Sequence, residues 1–168
     1  GLKSTNNHAD LSGLFNYCTS LISADLSGCD TSGVTTMEYM FNGCSSLTSL
    51  DLSGLDTSSV VNMRGMFCNC KSFTEAPIEN FPNSVTNISN IFKGCTSLTH
   101  DIEIPSHITN CSGMFQDCTS MTHIRSNWNN SYTNGITATG CYSGCTAVTH
   151  IDDKNVLAYE GDIGIDYV

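Results

Sequence analysis

Six times along the chain an aromatic residue stands three positions before a cysteine: Phe15/Cys18, Phe41/Cys44, Phe67/Cys70, Phe92/Cys95, Phe115/Cys118 and Tyr142/Cys145. The steps between successive aromatics are 26, 26, 25, 23 and 27 residues. A chain that rewrites one unit at this interval folds by stacking the copies, because a unit so short cannot cover its own apolar side. Within the second copy, Val34, Met37, Met40, Phe41 and Cys44 have the spacing of one side of a short helix. Leu47, Leu50, Leu52 and Leu55 then follow in a pattern whose central alternation predicts a short strand. The predicted unit is a coil with a strand on one side and a helix or turn on the other.

The other copies repeat these apolar positions, with Val60/Met63/Met66, Val85/Ile88/Ile91 and Ile108/Cys111/Met114 in the places of Val34/Met37/Met40. Leu11 and Leu14 keep the pattern in an irregular first copy, and Ala138 and Cys141 keep it in an irregular last one. This organisation predicts an α/β repeat: a leucine-rich-repeat solenoid of about six coils over residues 1–150. A parallel β-sheet is expected on the inner face and short helices or turns on the outer face. Residues 151–168 leave the repeat, turn acidic, and are expected to form a C-terminal cap or a junction to a further domain.

The text M-x-x-M-F-x-x-C-x-S-L-T-x-L-D-L-S, met most closely from Met37 to Ser53, resembles that of the BspA-type leucine-rich-repeat proteins of bacterial and protist surfaces. The resemblance covers about residues 11–151. It implies a right-handed, curved solenoid displayed at the cell surface or secreted, used for adhesion or host contact, with no shared catalytic residue to carry across. An extracellular or cell-surface location is the expectation.

Charge excludes some partners. Six Lys plus Arg stand against sixteen Asp plus Glu, a formal net charge of −10, which argues against binding nucleic acid because phosphate contacts need clustered cations. No apolar run is long enough to span a bilayer, so this fragment is not expected to insert into a membrane. No cofactor is called for.

Ten cysteines raise the question of disulfides or metal. Successive copies of the Cys18 column would lie about 5 Å apart with parallel Cβ vectors, a poor geometry for bridging, so buried free thiols are expected. Cys29, Cys111 and Cys141 replace Leu55, Met37 and Met40 and are expected in the core as well. Cys68 is the exception: its counterparts are Asn16, Asn42, Lys93, Gln116 and Ser143, which predicts an exposed thiol. The pair Cys68-x-Cys70 is too close for a zinc-site spacing.

Binding residues are sought where copies differ. Eight residues after each aromatic the chain reads Ser23, Ser49, Glu75, His100, His123 and His150; two residues later come Asp25, Asp51, Pro77, Ile102, Arg125 and Asp152. The candidate inner-face site is therefore Ser23, Asp25, Ser49, Asp51, Glu75, His100, His123, Arg125 and His150. Three imidazoles on consecutive rungs also make His100, His123 and His150 weak candidates for a shared metal, although solvated histidines explain them as well. Trp128 and Tyr132 suit either sugar stacking or core filling. Asn87, Asn110 and Asn129 are sequons, and Asp152, Asp153, Asp162 and Asp166 lack a calcium-loop signature.

No repeated acid–base pair appears, so the chain is not expected to be an enzyme. The leading expectation is a protein-binding or adhesion module recognising a host protein or glycan. A structural spacer or stalk is the alternative, and a histidine-based hydrolase is far behind.

Overall fold

The computed structural model describes residues 9–78, 80–124 and 137–151. Arg125, Trp128, Asn129, Tyr132 and the acidic tail fall outside these residues, as do the side chain of His150 and the expected C-terminal cap.

Each of the six copies forms one coil, and the segment around its aromatic is not a helix. Two residues per coil, two before and two after the aromatic, have left-handed backbone: Gly13/Tyr17, Tyr39/Gly43, Gly65/Asn69, Asn90/Gly94, Gly113/Asp117 and Gly140/Gly144. A left-handed residue every fourth position interrupts a right-handed helix, so the chain advances by successive turns. Its N–H groups alternate between two kinds of acceptor. Those of Leu11, Gly13, Phe15 and Tyr17 donate to the carbonyls of Thr36, Glu38, Met40 and Asn42 in the next coil at 2.7–3.1 Å. The intervening N–H groups of Leu14, Asn16 and Cys18 donate within the coil, to Leu11, Gly13 and Phe15 at 2.9–3.2 Å. The same alternation recurs down to coil 5, so the turn side satisfies its backbone across coils as a sheet does.

This corrects the helix expected from Val34. Val34 itself lies in a strand, β2 (Val34–Thr36), paired in parallel with β1 (Ala9–Asp10). The ladder continues through single parallel bridges Thr36↔Asn62↔Asn87↔Asn110↔Thr137. At this column Asp10, Asn62, Asn87 and Asn110 each accept, through Oδ1, the N–H two residues ahead, which starts the turn segment. Asn87 and Asn110, two of the sequons, thus have a structural use.

The strand expected at Leu50–Leu52 does not form in coil 2. There Asp51 Oδ1 accepts the Ser53 N–H at 2.8 Å, and Asp25 does the same for Ser27 in coil 1, so a local turn displaces the ladder. Strand pairing at this position appears in coils 4–6, where His100 bridges to His123 and β3 (His123–Ile124) pairs in parallel with β4 (His150–Ile151).

The core lies between these two sides. Val34, Met37, Met40, Phe41, Cys44 and Leu47, with their copies in coils 3 to 5, are almost wholly removed from water. The six aromatics form one continuous stack, Phe15 to Tyr142, with ring centroids 5.1–5.9 Å apart and planes within 8–14° of parallel. All ten cysteines are free. Each thiol of the column from Cys44 to Cys145 donates to the carbonyl of the aromatic one coil earlier, at 3.1–3.2 Å. Cysteine suits this column because it fills a small apolar space and still brings a donor. Cys18, in the first coil, is exposed, a departure from the buried ladder expected of it.

The left-handed positions are sensitive to a single methyl group. A Cβ on Gly65 would overlap the ring of Tyr39 from the preceding coil, and Gly65 has φ +59°. Gly65→Ala is expected to lower stability by about 2–4 kcal/mol, from backbone strain and displacement of that ring. Gly33→Ala, with open space and ordinary φ, is expected to be neutral or stabilising by up to about 1 kcal/mol. Urea unfolding of the two variants checks this, and similar midpoints would refute it.

Candidate functional site

On the strand side, Ser23, Ser49 and Glu75 are exposed, and His100 and His123 are half-buried. They occupy one position in successive coils, and pairing puts His100, His123 and His150 on consecutive rungs. His100 Nδ1 lies 3.2 Å from the Thr99 hydroxyl. Among the described residues no three His, Cys, Asp or Glu side chains are grouped to hold a metal ion.

The second column divides. Asp25 and Asp51 are exposed, and hydrogen bonds from the hydroxyl and then the N–H of Ser27 or Ser53 hold their carboxyls below the usual range. Asp30 and Asp56 repeat the arrangement with Ser32 and Ser58 five residues on, and Asp10 has it with Ser12, so coils 1 and 2 carry five such carboxylates. Asp25 opposes part of the effect at Asp51, as expected of like charges on neighbouring coils. In coil 4 the column turns inward: Ile102 is buried and belongs to the core.

Three features escape the repeat pattern. Asp101 is 1% exposed although its column otherwise carries Ala24, Leu50, Ala76 and Ile124; its Oδ2 accepts the Tyr142 hydroxyl at 2.8 Å. The signal was present as two departures, one acid in an apolar column and one hydroxyl in a phenylalanine column. Cys68, expected to be exposed, is only 8% exposed. Asn69 Nδ2 lies 3.3 Å from its sulfur and burial pushes its thiol pKa up, so its polar column does not mark a reactive surface thiol. On the turn side, Arg64 pairs with Glu38 at 3.2 Å and lies 5.4 Å from the centre of the Tyr39 ring, joining coils 2 and 3.

A half-open cavity of about 260 Å³ lies beside Met37, Met63 and Met66, with Leu52, Leu55, Ile78 and Pro82 around it and Thr57 and Asn80 as its polar groups. Among the described residues no titratable side chain lines it.

Two solved structures share this architecture. A T. pallidum leucine-rich-repeat protein matches with a TM-score of 0.59 and 25% identity, over 86% of this chain and 61% of its own. A leucine-rich-repeat protein from Bacteroides ovatus matches with a TM-score of 0.56 and 20% identity, over 83% of this chain and 33% of its own. The fold is that of a leucine-rich repeat, and the chain spans about three fifths of the first protein and a third of the second. Among curated proteins none matches the sequence significantly. A family model described as "Mycoplasma protein of unknown function, DUF285" matches twice, over residues 4–103 and 52–151. The second match starts 48 residues after the first, close to two coil steps, as a periodic chain requires. With all but the two ends of the chain matched, the protein belongs to the DUF285 family.

Proposed function

We propose that this chain is a binding module of a secreted or surface-displayed protein, akin to the BspA-type adhesins and wound as a right-handed solenoid, that recognises a host protein or glycan through its strand-side face. One observation carries the reading. The buried columns repeat from coil to coil, whereas the strand-side column changes from Ser23 and Ser49 through Glu75 to His100 and His123 while staying in contact with water. Stacking sets a fixed spacing for these changes, which suits an extended partner more than a small substrate. The T. pallidum and Bacteroides relatives support the scaffold.

A glycan array and a panel of extracellular-matrix proteins provide the test. The double variant Glu75→Ala/His100→Ala is expected to weaken the captured ligand by about ten-fold or more, as at an interface hot spot, with an unchanged unfolding midpoint. A silent screen, or a ligand indifferent to both substitutions, would favour the structural spacer.

A further inference from the structure

Two cysteines stand outside the thiol column, each a departure from the column it occupies. Four residues before the aromatic the coils read Leu11, Met37, Met63, Ile88, Cys111 and Ala138. One residue before it they read Leu14, Met40, Met66, Ile91, Met114 and Cys141. Each column thus holds a single thiol, and the two fall in adjacent coils.

They also meet. Cys141 follows Cys111 by 30 residues where the step between their coils is 27, so the pair lies on a diagonal, three positions apart in register. The same diagonal in coils 2 and 3 joins Met37 and Met66, which border one cavity. In coils 5 and 6 it brings the thiols of Cys141 and Cys111 into a hydrogen bond with each other. The backbone ties the two coils at this point: the N–H of Cys111 donates to the Thr137 carbonyl and that of Phe115 to the Cys141 carbonyl, each at 2.8 Å. Neighbouring Cys118 and Cys145 are engaged elsewhere, each donating to a carbonyl of the preceding coil. Cys111 and Cys141 are both 0% exposed, and among the described residues no third ligand joins them to hold a metal ion. Successive copies of one position have parallel Cβ vectors, which opposes the near-perpendicular dihedral of a disulfide; a diagonal lifts that constraint, and the left-handed Gly140 turns the chain just before Cys141.

We propose that Cys111 and Cys141 are a disulfide-forming pair, a modification site at which an external disulfide oxidises this protein and ties coil 6 to coil 5. The free thiols are its reduced form. The step is thiol–disulfide exchange. One thiol of the pair loses its proton to water and attacks a sulfur of the external disulfide R–S–S–R, forming a mixed disulfide and releasing the first RS⁻. The other thiol loses its proton, attacks the protein sulfur of the mixed disulfide and releases the second RS⁻. Two electrons pass to the external disulfide, which leaves as two thiolates. Burial, and then the hydrogen bond with Cys111, push the Cys141 pKa up, so docked Cys141 is a neutral thiol and a poor nucleophile. Exchange therefore takes place while coil 6 is undocked, during folding or a local opening, and docking then shields the bond from reductant.

The test holds the full chain in a glutathione redox buffer with urea just below the unfolding midpoint, removes the urea, quenches in acid, alkylates free thiols and maps intramolecular bridges by mass spectrometry. Cleavage after Phe115, Arg125 and Tyr142 separates Cys111 and Cys141 from Cys118 and Cys145. One intramolecular bridge is expected, Cys111 to Cys141. The bridged chain is expected to unfold at a higher urea midpoint than the reduced chain, and the Cys141 and Tyr142 amides to exchange at least about ten-fold more slowly. Cys141→Ala is expected to form no bridge and to lose both effects, whereas Cys145→Ala keeps them. Because each variant trims a buried side chain, the map of the unsubstituted chain decides alone. No intramolecular bridge, a bridge through Cys118 or Cys145 in its place, or a bridged form less stable than the reduced one would overturn the proposal.

Discussion

Phe67→Ala is expected to destabilise the protein by about 3–5 kcal/mol, the cost of removing a fully buried ring that the surroundings cannot refill. Phe67 is 0% exposed, stacks on Phe41 at 5.9 Å and on Phe92 at 5.8 Å, and meets Phe73 edge-on at 5.8 Å. Domains of this size have about 5–15 kcal/mol in hand, so the substitution removes a large share. Phe15→Ala, at the open end of the stack with one ring neighbour at 5.1 Å, is expected to cost clearly less. Urea unfolding of both variants is decisive, and equal losses would contradict the stack as a continuous core element.

The second large effect is alkaline. Burial first, and then the neighbouring thiols, push the Cys70 pKa up to about 12 from an ordinary value of 9.0. Burial does the same for Cys145, also to about 12, with a smaller opposing hydrogen bond, and pushes Cys95, Cys118 and Cys141 upward too. Folding holds these thiols neutral, whereas in the unfolded chain they ionise near pH 9. Their contribution is therefore fully present below about pH 9 and is lost as pH rises toward about 12, at up to about 1.4 kcal/mol per pH unit for each thiol. Urea midpoints measured in reductant are expected to be level from pH 7 to 8 and to fall steeply above 9. A midpoint unchanged up to about pH 10.5 would show that the unfolded chain gains nothing by ionising these groups.

The core was legible because the same side chain returned at each step, so Met63 or Phe92 could be placed from Met37 or Phe41 alone. The path of the backbone was not. Apolar spacing of three and four residues fits a succession of turns as well as a helix, and periodicity does not separate them. The deciding residues were in view, glycine, asparagine or aspartate two positions either side of most aromatics, but Tyr17 and Tyr39 in left-handed backbone hid the columns. Strand-side placement of Ser23, Glu75 and His100 could be foreseen from their alternation. The inward turn of Ile102 and the burial of Asp101 could not, because coil 4 is short and the displaced register resolves only once Tyr142 is in place two coils away.

The alternation of glycine and side chain also constrains how such genes can change length. The left-handed side chain of each of coils 1–5 stands where a Cβ of the next coil would be, as Tyr17 does over Gly43 and Tyr39 over Gly65, so duplicating any one of these five coils sets two side chains against each other. Duplicating two coils restores every contact. An array of such alternating coils is therefore expected to change length two coils at a time, by about twice the unit that the eye finds in the sequence.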